Sequence, residues 1–175
     1  MSHRHLNLKW IVAALCLCGT HSVLAATATS TFTVSSTISA TCSTPSAGNL
    51  DFGTYNPIGG SSATATATIT ITCTNTTTIT SVTLNAGTGT GTINARKMEK
   101  NGTDSTKTLN YNLYTTSGNA SIWGDGTSGN VTNNVSGSAG TGSAQTLTVY
   151  GTIPANQTSV EPGSYSDTIT VTINY

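Results

Sequence analysis

From residue 26 to residue 42 the chain alternates small or apolar side chains with hydroxyl side chains almost without a slip. Ala26, Ala28, Ser30, Phe32, Val34, Ser36, Ile38, Ala40 and Cys42 fall on one face, and the positions between them hold only Thr and Ser. Alternation with period two marks a half-buried β-strand. At roughly 3.3 Å per residue the run would extend about 55 Å, two to three times the usual strand length. A small domain cannot pair such a strand along its whole length. The run therefore reads as two strands in series, the first free to serve something other than its own domain.

The same pattern returns downstream and predicts strands at 63–74, 79–86, 107–115, 144–153 and 165–175. Their apolar faces are carried by residues such as Ile69 and Ile71, Leu109, Tyr111 and Leu113, Leu147 and Val149, and Ile169, Val171, Ile173 and Tyr175. The short run 120–123 reads as loop, and 87–104 as a glycine-rich hairpin or loop that holds most of the positive charge. No stretch has a 3.6-residue apolar period, so almost no helix is expected. Regularly spaced strands with Gly, Ser and Asn at the turns point to a sandwich or barrel. No fixed repeat of 20–50 residues favours a β-helix or propeller.

Counting the strand that ends at Cys42, six strands result, and the sequence stops on a well-formed one. An immunoglobulin-like sandwich of six strands would leave a groove beside the last, exposing backbone groups and core side chains. Residues 26–35 have the length and pattern to fill such a groove in another copy by strand addition. A donor that lies alongside one domain and continues into the next makes a head-to-tail contact that does not close, and so builds a fibre. The plain alternative is that Phe32 and Val34 pack in their own domain as an edge strand.

Residues 1–25 read as a cleaved export leader. His3, Arg4, His5 and Lys9 open it, a short apolar core spans 10–18, and Val23, Leu24 and Ala25 precede the expected cleavage. Cys16 and Cys18 lack the small preceding residue that lipidation requires. After the leader, Arg96, Lys97, Lys100 and Lys107 face six carboxylates, Asp51, Glu99, Asp104, Asp125, Glu161 and Asp167, for a net charge of −2. No basic face is available for nucleic acid. Cys42 and Cys73 remain, each on the apolar face of its strand. In an exported chain the pair reads as a disulfide rather than as two buried thiols.

Catalytic and metal chemistry find little material. All three histidines lie in the leader, which removes Ser–His pairs and the usual zinc sites. Glu99 with Asp104, or Asp125 with Glu161, would be a carboxylate pair without an aromatic-lined framework. The glycine-rich 87–91 run has no Lys-Ser/Thr or helix after it, and Asp125-Gly126 lacks calcium-loop spacing. Trp123 reads as packing rather than a sugar platform. No enzyme, cofactor or metal is expected.

Phe32-Thr33-Val34, Ile38-Ser39-Ala40-Thr41-Cys42, and the run Gly48-Asn49-Leu50-Asp51-Phe52-Gly53-Thr54-Tyr55-Asn56-Pro57 resemble the start of the spore coat protein U domain. Pro162-Gly163-Ser164-Tyr165-Ser166-Asp167-Thr168-Ile169-Thr170-Val171-Thr172-Ile173, followed by Asn174-Tyr175, resembles its closing strand. This is the domain of the archaic chaperone–usher pilins, and the similarity is greatest to major subunits of Csu-type pili. The resemblance implies an all-β, incomplete immunoglobulin-like sandwich lacking its last strand, completed by donor-strand complementation. It implies a donor strand over 26–35 and a pilin domain over 36–175. Ala28, Ser30, Phe32 and Val34 would form the donor face. Ile38, Ala40, Ile169, Val171, Ile173 and Tyr175 would line the acceptor groove, with the Tyr175 carboxylate held by a periplasmic chaperone.

The partners implied are further copies of the chain, that chaperone, an outer-membrane usher, and minor or tip pilins. The location implied is an extracellular fibre exported through the periplasm, serving surface attachment and biofilm formation. Carrying both donor and groove fits a repeating shaft subunit. The rival readings are a small outer-membrane β-barrel, which lacks aromatic girdles here, and a monomeric carbohydrate-binding sandwich.

Overall fold

A computed structural model describes residues 25–175, so nearly all of the expected leader lies outside the described residues. The chain divides at Thr37. Residues 25–37 carry no helix or strand and are exposed throughout, and the second unit is Ile38–Tyr175.

The second unit is all-β apart from one 3-10 turn, Ser136–Ser138. Its strands are β1 (Ser46–Ala47), β2 (Ala63–Thr72), β3 (Ser81–Leu84), β4 (Arg96–Lys100), β5 (Asp104–Tyr114), β6 (Ala144–Ile153), β7 (Tyr165–Ser166) and β8 (Val171–Asn174). They form a six-stranded sheet ordered β1-β2-β6-β5-β4-β7 and a two-stranded sheet, β3-β8. Every pairing is antiparallel. The alternating sequence determines the register of the longest ladder. Ile69 faces Leu147 and Ala67 faces Val149, while Thr68 pairs with Thr148 and Thr70 with Thr146 on the other face. A slip by one residue would put the threonines in the core. The core lies between the sheets around Ile69, Ile71, Val82, Leu84, Leu113 and Trp123.

Three expectations change. Residues 36–41 form no strand. Only Cys42 pairs, in a single bridge to Cys73, to which it is also disulfide-bonded across 31 residues. The carbonyl of Thr41 accepts from Thr74 N (2.9 Å) and Ser43 N donates to Thr72 O (2.8 Å), so main-chain bonds flank the disulfide on both sides.

The stretch expected to be a glycine-rich hairpin or loop contains the strand β4, which forms a hairpin with β5 and pairs with β7 on its other side. Its charges conceal it, because Arg96 and Glu99 are buried, on opposite faces of the strand. The glycines before it serve close approach, since a Cβ on Gly89 would overlap the carbonyl of Lys97.

Residues 120–123 form no strand, as expected, and Trp123 packs in the core, fully buried, with its indole N–H donating to Val82 O at 2.9 Å. Lastly, the closing run is broken between sheets, β7 ending the large one and β8 joining β3. Side chains replace the ladder at the break. Asp167 Oδ1 accepts from the N–H groups of Thr88 (2.7 Å), Gly89 (3.1 Å) and Thr168 (2.7 Å), and Thr170 N donates to Asn85 Oδ1 at 2.8 Å. An Asp that offers the backbone such partners diverts it from a continuous strand.

An open groove between two sheet edges

β1 and β7 are the two edges of the large sheet, and β8 has a partner on one side only. The segment that continues β1, 47–57, and the segment through β7 to β8, 160–171, run in opposite directions as the two walls of an open groove. The groove has two lobes. The first, about 410 Å³, holds Ala47, Leu50, Leu84, Tyr111, Ile169 and Val171 among its lining. The second, about 630 Å³, is bounded by Tyr55, Pro57, Leu109, Ile153, Val160 and Pro162. Leu50, Phe52, Met98 and Tyr165 belong to both.

Small residues lie beneath the 47–57 wall and let it pack closely, and Ala67 lines the first lobe. Ala63, Ala65 and Ala67 occupy the inward positions of the first half of β2, and Ala65 faces Gly151 on β6. Leu50 and Phe52 lie directly over Gly151, where a Cβ would meet their side-chain carbons at 2.8 Å. Phe52 meets Tyr111 edge-on at 6.3 Å between ring centroids, within the favourable range for a T-shaped pair.

The groove lining is mixed: apolar side chains alternate with polar ones such as Asn49, Asp51, Asp167 and Glu161. The Tyr111 hydroxyl donates to Asp167 Oδ2 at 2.6 Å. Burial pushes the Tyr111 pKa up strongly, and the hydrogen bond to Asp167 adds to the shift, so the phenol stays a donor. On the rim of the second lobe, Glu161 joins Lys100 of β4 (3.0 Å) and Lys107 of β5. The hydrogen bond from Lys107, then that from Lys100, holds the Glu161 carboxyl below its ordinary range.

Beneath the groove, Arg96 ties the sheets together. Its guanidinium donates to the carbonyls of Leu84, Asn85, Ile93 and Trp123 and to Asn112 Oδ1 at 2.7–3.4 Å. Burial lowers its pKa. Among the described residues no group of three His, Cys, Asp or Glu is placed to hold a metal. What the site offers is an open cleft of mixed lining with strand edges along it, a geometry open to strand addition.

Of the residues expected in the acceptor groove, Ile169 and Val171 line it. Ile173 packs against the core from β8. Tyr175 is 58% exposed, and Ile38 (86% exposed) and Ala40 are outside the groove lining. Ala28, Ser30, Phe32 and Val34 are all exposed, Phe32 by 88% and Val34 by 83%. Sequence reasoning missed the opposite wall, Leu50 and Phe52, although Asn49-Leu50-Asp51-Phe52 alternates. It also missed Met98, flanked by charged residues, and the Tyr111–Asp167 pair, which joins positions 56 residues apart.

No curated protein matches the chain. Among solved structures it is similar to a chain in the pre-assembly complex of the CsuC chaperone with the CsuE tip adhesion subunit, from archaic chaperone–usher Csu pili of Acinetobacter baumannii. The two are 22% identical and superpose with a TM-score of 0.54, over 79% of this chain and 40% of that one. The chain thus spans less than half of the structure it matches, and the likeness establishes the fold: an immunoglobulin-like sandwich short of a strand. The family model of the Spore Coat Protein U domain matches residues 28–172, nearly the whole described length, and the chain belongs to that family.

Proposed function

We propose that this chain is a structural subunit of a chaperone–usher pilus, located in the shaft, whose copies join by donor-strand exchange. Residues 26–35 of one copy enter the groove of the next, with Ala28, Ser30, Phe32 and Val34 facing its floor and Ile169 and Val171 on its wall. One observation carries the reading. The same chain has an unfilled groove between strand edges and a separate, exposed segment whose alternation suits it. The family and the fold of a pilus subunit support it. Before assembly a periplasmic chaperone covers the groove and an outer-membrane usher receives the subunit. The finished fibre serves surface attachment and biofilm formation.

Each apolar anchor moved from water into a neighbour's core contributes about 1.5–3 kcal/mol. With the added main-chain ladder, dissociation would require opening a sandwich and would be slow. The test is a pair of variants of the exported protein. Deleting 26–35 should abolish polymers, and a copy of 26–35 grafted after Tyr175 should give a soluble, self-filled monomer with a raised melting temperature. A graft that changes neither assembly nor melting would refute the assignment. A soluble monomer from the ungrafted chain would favour the carbohydrate-binding sandwich instead.

A further inference from the structure

Five large apolar side chains stand exposed among the described residues: Phe32, Val34, Ile38, Ile58 and Tyr175. Phe32 and Val34 have a destination in the proposed exchange, and Tyr175 follows β8 at the end of the sequence. Ile38 and Ile58 have none. Single exposed apolar residues are common and need no explanation, but these two are joined by the path the donor takes.

The direction of that path follows from the sizes of the lobes. The donor face carries small residues first, Ala28 and Ser30, and large ones after, Phe32 and Val34. The smaller lobe lies toward β1 and β8, and the larger toward Tyr55, Pro57 and Pro162. Matching volume to volume puts Phe32 and Val34 in the larger lobe, so the donor runs antiparallel to the wall 160–171. Its C-terminal end then leaves the groove beside Pro57. Ile38 is four residues past Val34 on the same face, about 13 Å farther at about 3.3 Å per residue, which places it just outside the groove mouth.

Ile58 is next to Pro57 at that mouth, 82% exposed, and it is held there rather than loose. Its N–H donates to Asn56 Oδ1 (3.1 Å), and Gly59 N closes the turn on Asn56 O (3.3 Å). The base of the turn is tied down by Tyr55, whose hydroxyl donates to Pro154 O (2.8 Å) and accepts from Gln157 N (3.2 Å). A preorganised apolar contact forms with little further loss of freedom.

We infer that Ile58 of one copy packs against Ile38 of the copy that donates into its groove, so that the two residues form an apolar collar around the connecting segment. The inference rests on the donor-strand reading and adds the donor's direction and a second contact outside the groove. The collar would limit the swing of successive subunits about the connection.

The experiment uses the exported protein, which after leader removal has no cysteine besides the bonded Cys42 and Cys73. Two strains each co-express a pair of subunits carrying one introduced cysteine apiece, Ile38→Cys with Ile58→Cys, or Ile38→Cys with Asn49→Cys at the opposite mouth. Polymers are oxidised mildly, dissociated by heat in detergent, and run without reductant. The collar predicts covalent dimers from the 38/58 pair and none from the 38/49 pair. Polymers with no 38/58 dimer overturn the collar and leave donor exchange standing. Dimers from 38/49 instead mean that the donor enters in the reverse direction. If the wild-type chain forms no polymer at all, both the collar and the donor reading fail.

Discussion

Arg96 shows how one residue determines whether this fold can tolerate an open seam. It places a charge in the core without a contacting carboxylate and compensates with carbonyls from both sheets. Each acceptor left dry and unpaired costs about 1–3 kcal/mol. Arg96→Met should therefore destabilise the self-filled monomer by more than about 3 kcal/mol in equilibrium denaturation. Arg96→Lys should recover only part of that, since an ammonium cannot span acceptors spread around a planar fork.

Glu161 is the exposed counterpart at the groove rim. A carboxyl whose folded pKa is depressed stabilises the fold above its unfolded value of 4.5, and the benefit disappears as pH falls through the lower folded value. Wild type and Glu161→Gln should differ in melting temperature at neutral pH and converge as the pH drops below that range. The difference should be modest, because the pair is exposed and screened by solvent.

At the scale of elements, Gly151 is the contact on which the 47–57 wall rests. Gly151→Ala would press on Leu50 and Phe52, and overpacking of this kind costs about 1–3 kcal/mol. Because both residues line the groove, donor uptake should slow as well as stability fall, measurable as the rate of polymer growth from chaperone-bound subunits.

The elements also mark how far the sequence could be read. β2, β6 and most of β5 were legible because an apolar/hydroxyl alternation leaves one register in which the core is dry. β4 was not, because Arg96 and Glu99 are buried through hydrogen bonds that local pattern does not encode. The missing strand at 36–41 was equally hidden. Alternation reports a face that will be covered and is silent on which molecule covers it. The groove was expected for a sandwich one strand short, and Ile169 and Val171 were placed on its wall by the family resemblance, period two giving only their shared apolar face. The opposite wall and the Tyr111–Asp167 tie depend on contacts between distant segments.

Across the whole molecule, Cys42 marks where the exposed N-terminal run meets the body. In the proposed fibre, tension carried by the donor of one subunit would enter that subunit's own sheet at the Cys42–Cys73 bond and the flanking main-chain bonds to Thr72 and Thr74. Closing a loop of 31 residues' separation stabilises by about 3–4 kcal/mol in the chain-entropy model. Replacing both cysteines with alanine should lower the melting temperature of the self-filled monomer, and should make polymers break at lower load in single-fibre pulling.

The central claim is that the strand this sandwich lacks comes from a neighbour. Amide hydrogen exchange of residues 28–34, compared between assembled polymers and chaperone-bound subunits, tests it most directly. Donation predicts that these amides exchange freely in the subunit and become as protected as those of β5 and β6 in the polymer. Equally fast exchange in both states, or protection already present in the lone subunit, would contradict it.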